Sequence, residues 1–227
     1  MNEKKVRKIV LVGEFLGNVE GRKLGDYVYE EDGKVFSKVI GIPRINENSI
    51  DVIPLKGKYM PKIGDRVIGI ITEVEVSGWF VDINSPYYAF LPLSLGVEEF
   101  IDLKRVDIAR YYDLEDVIYC RITKVSKDKI VQVTMQDPHA RKLTKGVIVK
   151  ITPTKVARVI GKGGSMINLI QKKTGCEIIP GQNGLIWIKG KNVEKAIEAI
   201  LTIEKESHIY GLTNKIERML SENEGRD

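Results

Sequence analysis

The hydrophobic pattern of this chain changes its period after residue 151, and no other feature constrains the fold as strongly. Before that point apolar and polar residues alternate, most clearly in residues 117–125, which is typical of half-buried β-strands. Beyond it, apolar residues recur at helical spacing between Gly-rich stops. We therefore predict a multidomain α+β protein, in which β-rich domains come first and a helix-containing domain comes last.

Residues 1–60 predict a small β-rich domain, because Gly and Pro interrupt short apolar stretches throughout them. Asp32-Gly33 lies between two such stretches and indicates a hairpin, and a second turn at 46–48 leads into residues 49–54. Residues 61–138 predict five short strands. We place these strands at 66–74, 78–83, 89–93, 117–125 and 129–135. Five strands in so short a segment indicate a closed barrel of the OB type.

Residues 142–222 predict the element order βααββα. Thr152 and Pro153 indicate an N-cap and a first helical position, and Gly161 and Gly175 end the two helices. Asn192 is predicted to cap the last helix. The predicted elements are a strand at 147–151, helices at 153–160 and 165–174, strands at 176–180 and 185–189, and one long helix carrying Ile197, Ile200, Leu201, Ile216, Met219 and Leu220 on its apolar stripe.

The positive charge of the chain is concentrated in this last domain. The whole chain has a net charge of +5, yet residues 141–191 contain eleven Lys and Arg and one Glu, a net charge of +10. Residues 1–140 and 192–227 are both slightly acidic. This distribution indicates a local surface that binds a polyanion.

Residues 161–164 read Gly-Lys-Gly-Gly and join the two predicted helices. Glycines let a backbone approach a phosphate closely, and the N-terminus of the next helix offers N–H groups and a positive dipole end. The spacing matches neither the GxGxxG nor the P-loop pattern. Together with the hairpin that follows, the segment resembles the GXXG loop of a KH domain. The predicted RNA contacts are Lys155, Arg158, Gly161, Lys162, Gly163, Gly164 and Ser165, with Lys172 and Lys173 adding to the same field. The alternative is a structural turn with solvated lysines.

Residues 64–69, 77–83 and 116–122 resemble an S1 RNA-binding domain. Such domains stack aromatic side chains of one strand face on bases. Phe80 occupies such a position, and base stacking and a structural role are equally open for it. Ser77 and Pro92 stand where the family usually has an aromatic residue and often a histidine.

Four basic residues of this domain are candidate RNA contacts. Arg121 projects outward from its predicted strand and is either a phosphate contact or a solvated arginine. The long connection between the third and fourth strands supplies Lys104, Arg105 and Arg110 as candidates for lining a pore.

Residues 181–184 read Gly-Gln-Asn-Gly between two predicted strands, which predicts a tight turn. The tetrapeptide resembles the GxNG signature in the KH domain of exosome cap subunits, where it packs against neighbouring domains. We assign Gly181, Asn183 and Gly184 a structural role.

The order of these domains resembles the S1–KH RNA-binding cap subunits of the archaeal exosome, over essentially the whole chain. The resemblance implies a non-catalytic subunit, three copies of which cap a phosphorolytic RNase ring and feed it RNA. Because the sequence has no signal-peptide pattern and too few cysteines for a disulfide framework, we expect a cytoplasmic location. The implied partners are single-stranded RNA bound with weak sequence preference, the ring subunits and other cap subunits. The N-terminal domain is the expected docking surface, with Val6, Ile9 and Leu11 as contacts.

Two alternatives remain open: an S1–KH nucleic-acid-binding factor of translation or transcription, and a purely structural cap. No nucleophile, base or metal-ligand spacing is found around His139, His208, Cys120 or Cys176. We therefore expect no enzymatic activity, no cofactor, no metal and no membrane contact.

Overall fold

A computed structural model of the chain describes residues 9–99, 107–128, 130–207 and 211–222. The chain divides into two compact units, residues 1–57 and residues 58–227, and each is described by itself. Val6, Lys104, Arg105 and His208 lie outside the described residues.

The first unit is a small β-rich domain, as predicted. Its strands are β1 (Phe15–Asn18), β2 (Lys23–Leu24), β3 (Val28–Glu31), β4 (Lys34–Ser37), β5 (Gly41–Ile45) and β6 (Ser49–Pro54). They form two three-stranded sheets, with the orders β1-β4-β3 and β2-β6-β5. Asp32 and Gly33 join β3 to β4 with φ values of 51° and 74°, the positive values that a tight hairpin turn requires. The core consists of Val10, Leu16, Val28, Val35, Ile50 and Val52.

The second unit begins with the predicted five-stranded barrel. Its strands are β7 (Arg66–Glu75), β8 (Gly78–Asp82), β9 (Ala89–Pro92), β10 (Val117–Val125) and β11 (Val131–Thr134). The strands follow the order β11-β9-β8-β7-β10, and pairing between β10 and β11 closes the barrel. A short helix, α1 (Leu93–Gly96), follows β9. Trp79 is fully buried in the barrel core and its indole N–H donates to the Tyr112 carbonyl at 2.8 Å.

A sixth strand, β12 (Arg141–Leu143), adds to the outside of β10. Residue 142 was predicted to begin the last domain, but Lys142 pairs with Ile118 of the barrel sheet. A three-residue strand that starts with two charged residues has no hydrophobic period, so the sequence pattern could not reveal it.

The rest of the second unit has the predicted order βααββα and one additional helix. Its elements are β13 (Val147–Lys150), α2 (Val156–Ile160), α3 (Ser165–Thr174), β14 (Cys176–Pro180), β15 (Leu185–Gly190), α4 (Val193–Lys205) and α5 (Leu212–Glu222). A 3₁₀ turn, Pro153–Lys155, precedes α2. The three strands pair in the order β13-β15-β14.

The single long C-terminal helix of the prediction is wrong, because α4 and α5 are separate helices. Glu206 has non-helical dihedral angles, and Gly211 has a φ of 75°, which a continuous right-handed helix does not allow. Leu201, predicted on the apolar stripe, is 43% exposed. Thr152 and Asn192 make no side-chain cap. The Thr152 hydroxyl instead donates to the Glu204 carboxylate of α4 at 2.7 Å.

Both faces of the small C-terminal sheet are buried, since alternate residues of its strands point in opposite directions. Ile178, Ile186 and Ile188 belong to the core formed with the helices. Ile179, Leu185 and Trp187 pack instead with Ile68 and Leu143 of the barrel sheet. This second cluster joins the barrel and the C-terminal domain into one compact unit, which sequence periodicity alone does not reveal.

Candidate nucleic-acid interface

The Gly-Lys-Gly-Gly segment forms a tight loop between α2 and α3. Gly161 has φ 75° and ψ 174°, a conformation that only glycine adopts readily, and Gly163 and Gly164 are left-handed with φ of 59° and 81°. A Cβ atom on Gly161 would lie 2.7 Å from the Met166 amide nitrogen. A Cβ on Gly163 would meet nothing within 4 Å. The loop is therefore closely packed at its base and open at its tip.

Basic residues are spaced along the segment that leads into this loop and within the loop itself. Lys155, Arg158 and Lys162 follow at spacings of three and four residues, and Arg158 and Lys162 are exposed while Lys155 is half-buried. Ser165 is exposed at the start of the ten-residue helix α3. The positive dipole end of α3 and these side chains act at the same place, which favours a phosphate there.

Lys172 and Lys173 do not belong to this loop. Both lie in the last turn of α3, about 12 Å along the helix axis from Ser165. The prediction that they add to the field at the loop is wrong, because a ten-residue helix separates its two ends by more than a Debye length at physiological salt.

An aromatic pair lies on the outer surface of the barrel. Phe80 and Phe90 are directly opposite on β8 and β9, with ring centroids 5.2 Å apart, and both are half-buried. The sequence alone did not single out Phe90, because only the register of the two strands brings it beside Phe80. Period-2 alternation within 89–92, with Ala89 and Leu91 buried, was the available signal. Trp79, the neighbour of Phe80 on β8, points the other way, into the core.

Arg121 is 47% exposed and faces a buried counter-ion. Its Nη1 atom lies 3.5 Å from a carboxylate oxygen of Asp137, whose side chain is only 2% exposed. The Nε atom of Arg66 lies 3.3 Å from the other oxygen, and the His139 backbone N–H donates to it at 3.0 Å. The hydrogen bond from His139, followed by the one that Arg66 Nη2 donates at 3.4 Å, lowers the pKa of Asp137 below its usual range. Arg121 thus belongs to a fixed ionic cluster on the barrel.

Arg110 lies apart from the other candidates, in a 3₁₀ turn, Ile108–Arg110. Its guanidinium carbon is 5.1 Å from the ring centroid of Tyr111, a cation–π arrangement. The Tyr111 hydroxyl donates to Glu99 at 2.6 Å. Of the three candidates on this connection, Arg110 alone is among the described residues.

The Gly-Gln-Asn-Gly turn between β14 and β15 lies against the barrel. Asn183 is fully buried, and its side-chain amide donates to the carbonyls of Ile68 and Ile83 at 2.6 and 2.9 Å. A Cβ on Gly181 would lie 2.8 Å from the Ile68 nitrogen, and Gly184 has a φ of 85°. The turn therefore connects two domains through glycine-dependent close packing.

The described residues form no cluster of metal ligands, and both cysteines among them are buried. No group of three or more His, Cys, Asp and Glu within those residues could hold a metal ion. Burial raises the pKa of the Cys120 thiol to about 12, so this cysteine is not a nucleophile at neutral pH. None of the helices in the described part of the chain is long and apolar enough to cross a membrane.

Three family models match the chain in sequence. They are the exosome RNA-binding protein RRP4 N-terminal domain at residues 7–56, the RRP4 S1 domain at 58–124, and the KH domain at 146–205. This order of domains, with the closed barrel and the GXXG loop, defines an S1–KH protein with two RNA-binding domains.

Individual relatives extend this match over the full chain. The exosome complex component Rrp4 of Pyrococcus furiosus is 45% identical over 219 residues, covering 94% of this chain and 83% of the relative. The Rrp4 of Picrophilus torridus is 39% identical and covers 97% and 95%. A crystal structure assigned as an exosome complex RNA-binding protein superposes with a TM-score of 0.67 and 34% identity, covering 73% of this chain and 97% of that one. The chain belongs to the Rrp4 family of exosome complex components.

Proposed function

We propose that this protein is a non-catalytic RNA-binding subunit of an archaeal exosome. The observation that carries the proposal is the loop at 161–164, where three glycines with positive φ open the backbone beside Lys162 and the N-terminus of α3. Such a loop grips the sugar–phosphate backbone of about four nucleotides. Because phosphates carry no sequence information, binding has weak sequence preference.

The barrel adds a second contact. Phe80 and Phe90 present two neighbouring rings on its outer surface, and each base stacked on such a ring contributes about 1–3 kcal/mol. Stacking tolerates every base, since each has a π face. Both RNA-binding surfaces therefore suit a protein that guides RNA of any sequence.

The relatives are named exosome complex components, which supports a role in the same kind of assembly. In this proposal, three copies form a cap on a phosphorolytic ring. RNA held by the KH loop and the S1 surface is then passed 3′ end first through the cap to the active sites of the ring. The other partners are further cap subunits, and in this proposal catalysis belongs to the ring subunits.

The N-terminal domain is the proposed docking surface on the ring. Ile9, Leu11, Val12 and Ile40 are 52%, 60%, 64% and 49% exposed, and Val10 between them is buried. Val10 forms an isolated bridge to Gly41, the residue that follows Ile40, so these apolar side chains lie in one region of the domain. Exposed apolar clusters of this kind mark protein interaction sites.

Two experiments test the proposal. The double variant Lys162→Asp/Gly163→Asp places two negative charges at the open loop tip, so it should weaken binding to single-stranded RNA and reduce the salt dependence of affinity. Unchanged affinity would favour a purely structural cap.

Affinity capture from the native organism with mass spectrometry should recover phosphorolytic ring subunits. Recovery of ribosomal proteins or RNA polymerase in their place would favour a translation or transcription factor.

A further inference from the structure

Three arginines meet on the outer face of the barrel, at its border with the KH domain. Arg66 of β7 lies directly opposite Arg121 of β10. Arg141 of β12 lies directly opposite Tyr119, two residues before Arg121 on the same strand. Because residues two apart on a strand share a face, all three side chains project from one face of neighbouring strands. We call Arg66, Arg121 and Arg141 the seam arginines.

Two like charges placed directly opposite on neighbouring strands repel each other unless an anion lies between them. Asp137 is that anion for Arg66 and Arg121, and its side chain is 2% exposed, whereas theirs are 40% and 47% exposed. The negative charge is therefore buried, and the positive side chains remain accessible. A guanidinium has five N–H donors, and Asp137 engages only part of this set in either arginine.

Arg141 extends the positive surface towards the KH domain. Its side chain is 52% exposed and forms an ion pair with Glu177 of β14. Glu177 in turn lies opposite Lys189 on β15, so a basic residue follows on the KH side. Burial raises the pKa of Tyr119, and the positive charges of Arg66 and Arg141 oppose that rise, as expected for charges on either side of the phenol.

Apolar packing and a backbone hydrogen bond join the barrel to the KH domain beside the seam arginines. Ile68 and Leu143, on the same strand face as Arg66 and Arg141, pack with Ile179, Leu185 and Trp187. The Gln182 backbone N–H also donates to the Arg66 carbonyl at 2.9 Å. The guanidinium groups on the barrel are therefore held at a fixed position relative to the KH domain, as a preorganised binding site requires.

We propose that the seam arginines bind backbone phosphates of an RNA strand that passes between the S1 surface and the KH domain. Guanidinium groups fixed by a carboxylate match the fork geometry of a phosphate and lose little entropy on binding. The site recognises the sugar–phosphate backbone and no base sequence. This inference rests on the proposed RNA-binding function and adds a third contact to the loop and the aromatic pair.

The test measures the affinity of the full chain for a fluorescein-labelled oligoadenylate of about 16 nucleotides as a function of salt. Arg121→Gln and Arg141→Gln should each weaken binding by about tenfold or more at low salt, the effect of losing one charged hydrogen bond. Each should also reduce the slope of log Kd against log salt by about 0.7, the value for one phosphate on a single strand.

Lys142→Gln is the matched control. Lys142 neighbours Arg141 on β12, forms an ion pair with Asp116, and projects from the opposite face of the strand. This variant loses the same charge, and it should keep the slope of the wild type. If Lys142→Gln and Arg141→Gln weaken binding equally, the effect is general charge and the inference fails.

Failure of the inference differs from failure of the proposed function. If the wild type does not bind the oligoadenylate, the proposed function fails. If the wild type binds, Lys162→Asp/Gly163→Asp weakens it and the arginine variants do not, only the seam inference is overturned. Among the described residues, the ion-pair partner of Arg141 is Glu177 and not Asp137. Arg141→Gln therefore tests the seam inference even if Arg121→Gln unfolds the barrel.

Discussion

Asn183 of the KH domain binds the main chain of Ile68 in the barrel as a neighbouring strand would. Its Nδ2 atom donates to the Ile68 carbonyl at 2.6 Å, and its Oδ1 atom accepts from the Ile68 N–H at 3.3 Å. The same Nδ2 atom donates to the Ile83 carbonyl at 2.9 Å. One buried side chain thus satisfies three backbone groups of another domain, and it holds the two RNA-binding domains in one orientation.

Replacing Asn183 by Ala should strongly destabilise the second unit. Two carbonyls and one N–H would remain buried without partners, and the expected loss is about 3 kcal/mol in the free energy of unfolding. Urea denaturation followed by circular dichroism measures it. Gln182→Ala is the control, because Gln182 is exposed and bonds Arg66 only through its backbone. Equal stability of the two variants would contradict the role given to Asn183.

Two glycines of the GXXG loop should respond differently to alanine. Gly161→Ala combines a glycine-only conformation with a Cβ 2.7 Å from the Met166 nitrogen, so we expect a loss of about 3 kcal/mol. Gly163→Ala meets no neighbour and should cost only about 1 kcal/mol for its left-handed φ. Thermal unfolding of both variants compares them. If Gly163→Ala were the more damaging, the base of the loop would not be its constrained part.

The Phe80 and Phe90 rings should each contribute to RNA binding. Phe80→Ala and Phe90→Ala should weaken affinity for a single-stranded oligoadenylate by about 1–3 kcal/mol each. Because the rings are in contact, the double variant should lose less than the sum. Tyr29→Ala, which breaks a stacked pair with Phe36 in the N-terminal domain, should not change affinity. A similar loss of affinity in that variant would show that the effect is not specific to the aromatic pair of the barrel.

The stability of the barrel should depend on pH through Asp137. Its pKa in the folded protein is lowered by the His139 backbone N–H and by Arg66, so its contribution is fully present above the ordinary pKa of about 4. The contribution is lost as the pH falls through the lowered folded value. Asp137→Asn should therefore be less stable than the wild type at neutral pH, and the difference should shrink below about pH 4. Urea unfolding at a series of pH values measures this. A difference that stays constant with pH would rule out the ion cluster as its cause.

The exposed apolar residues of the N-terminal domain should matter for assembly and not for RNA binding. Ile9→Glu/Leu11→Glu should reduce the amount of ring subunits recovered by affinity capture from the native organism, because charge is costly in an apolar interface. Val76→Glu is the control, since Val76 is 72% exposed in the turn between β7 and β8. Ring recovery that falls only with the Val76 variant would move the docking surface to the barrel.

Much of the fold followed from local pattern. The hairpin at Asp32-Gly33, the five barrel strands and the order βααββα all come from residues close in sequence, whose spacing sets the period and the turns. The gap between α4 and α5 was not foreseen, since the apolar spacing of Ile216 and Leu220 continues as if one helix ran through. Strand β12 was missed for the related reason that its residues carry charge and no period.

The residues of the candidate RNA-binding site were likewise only partly predictable from the sequence. The GXXG loop needs only neighbouring residues, because the dihedral angles of Gly161, Gly163 and Gly164 are a local property. The partner of Phe80, the buried counter-ion of Arg121 and the contact of Asn183 with Ile68 involve residues 10, 16 and 115 positions apart. Spacing alone cannot report such pairs.

The sequence by itself determined the domains, their order, the basic character of residues 141–191 and the glycines of the loop. Only the tertiary structure decided which side chains face each other, because strand register and the packing of the barrel against the KH sheet set those pairs. Arg121 illustrates the difference. As a residue in a strand it projects outward, and as part of the folded barrel it lies beside Arg66 over the buried carboxylate of Asp137.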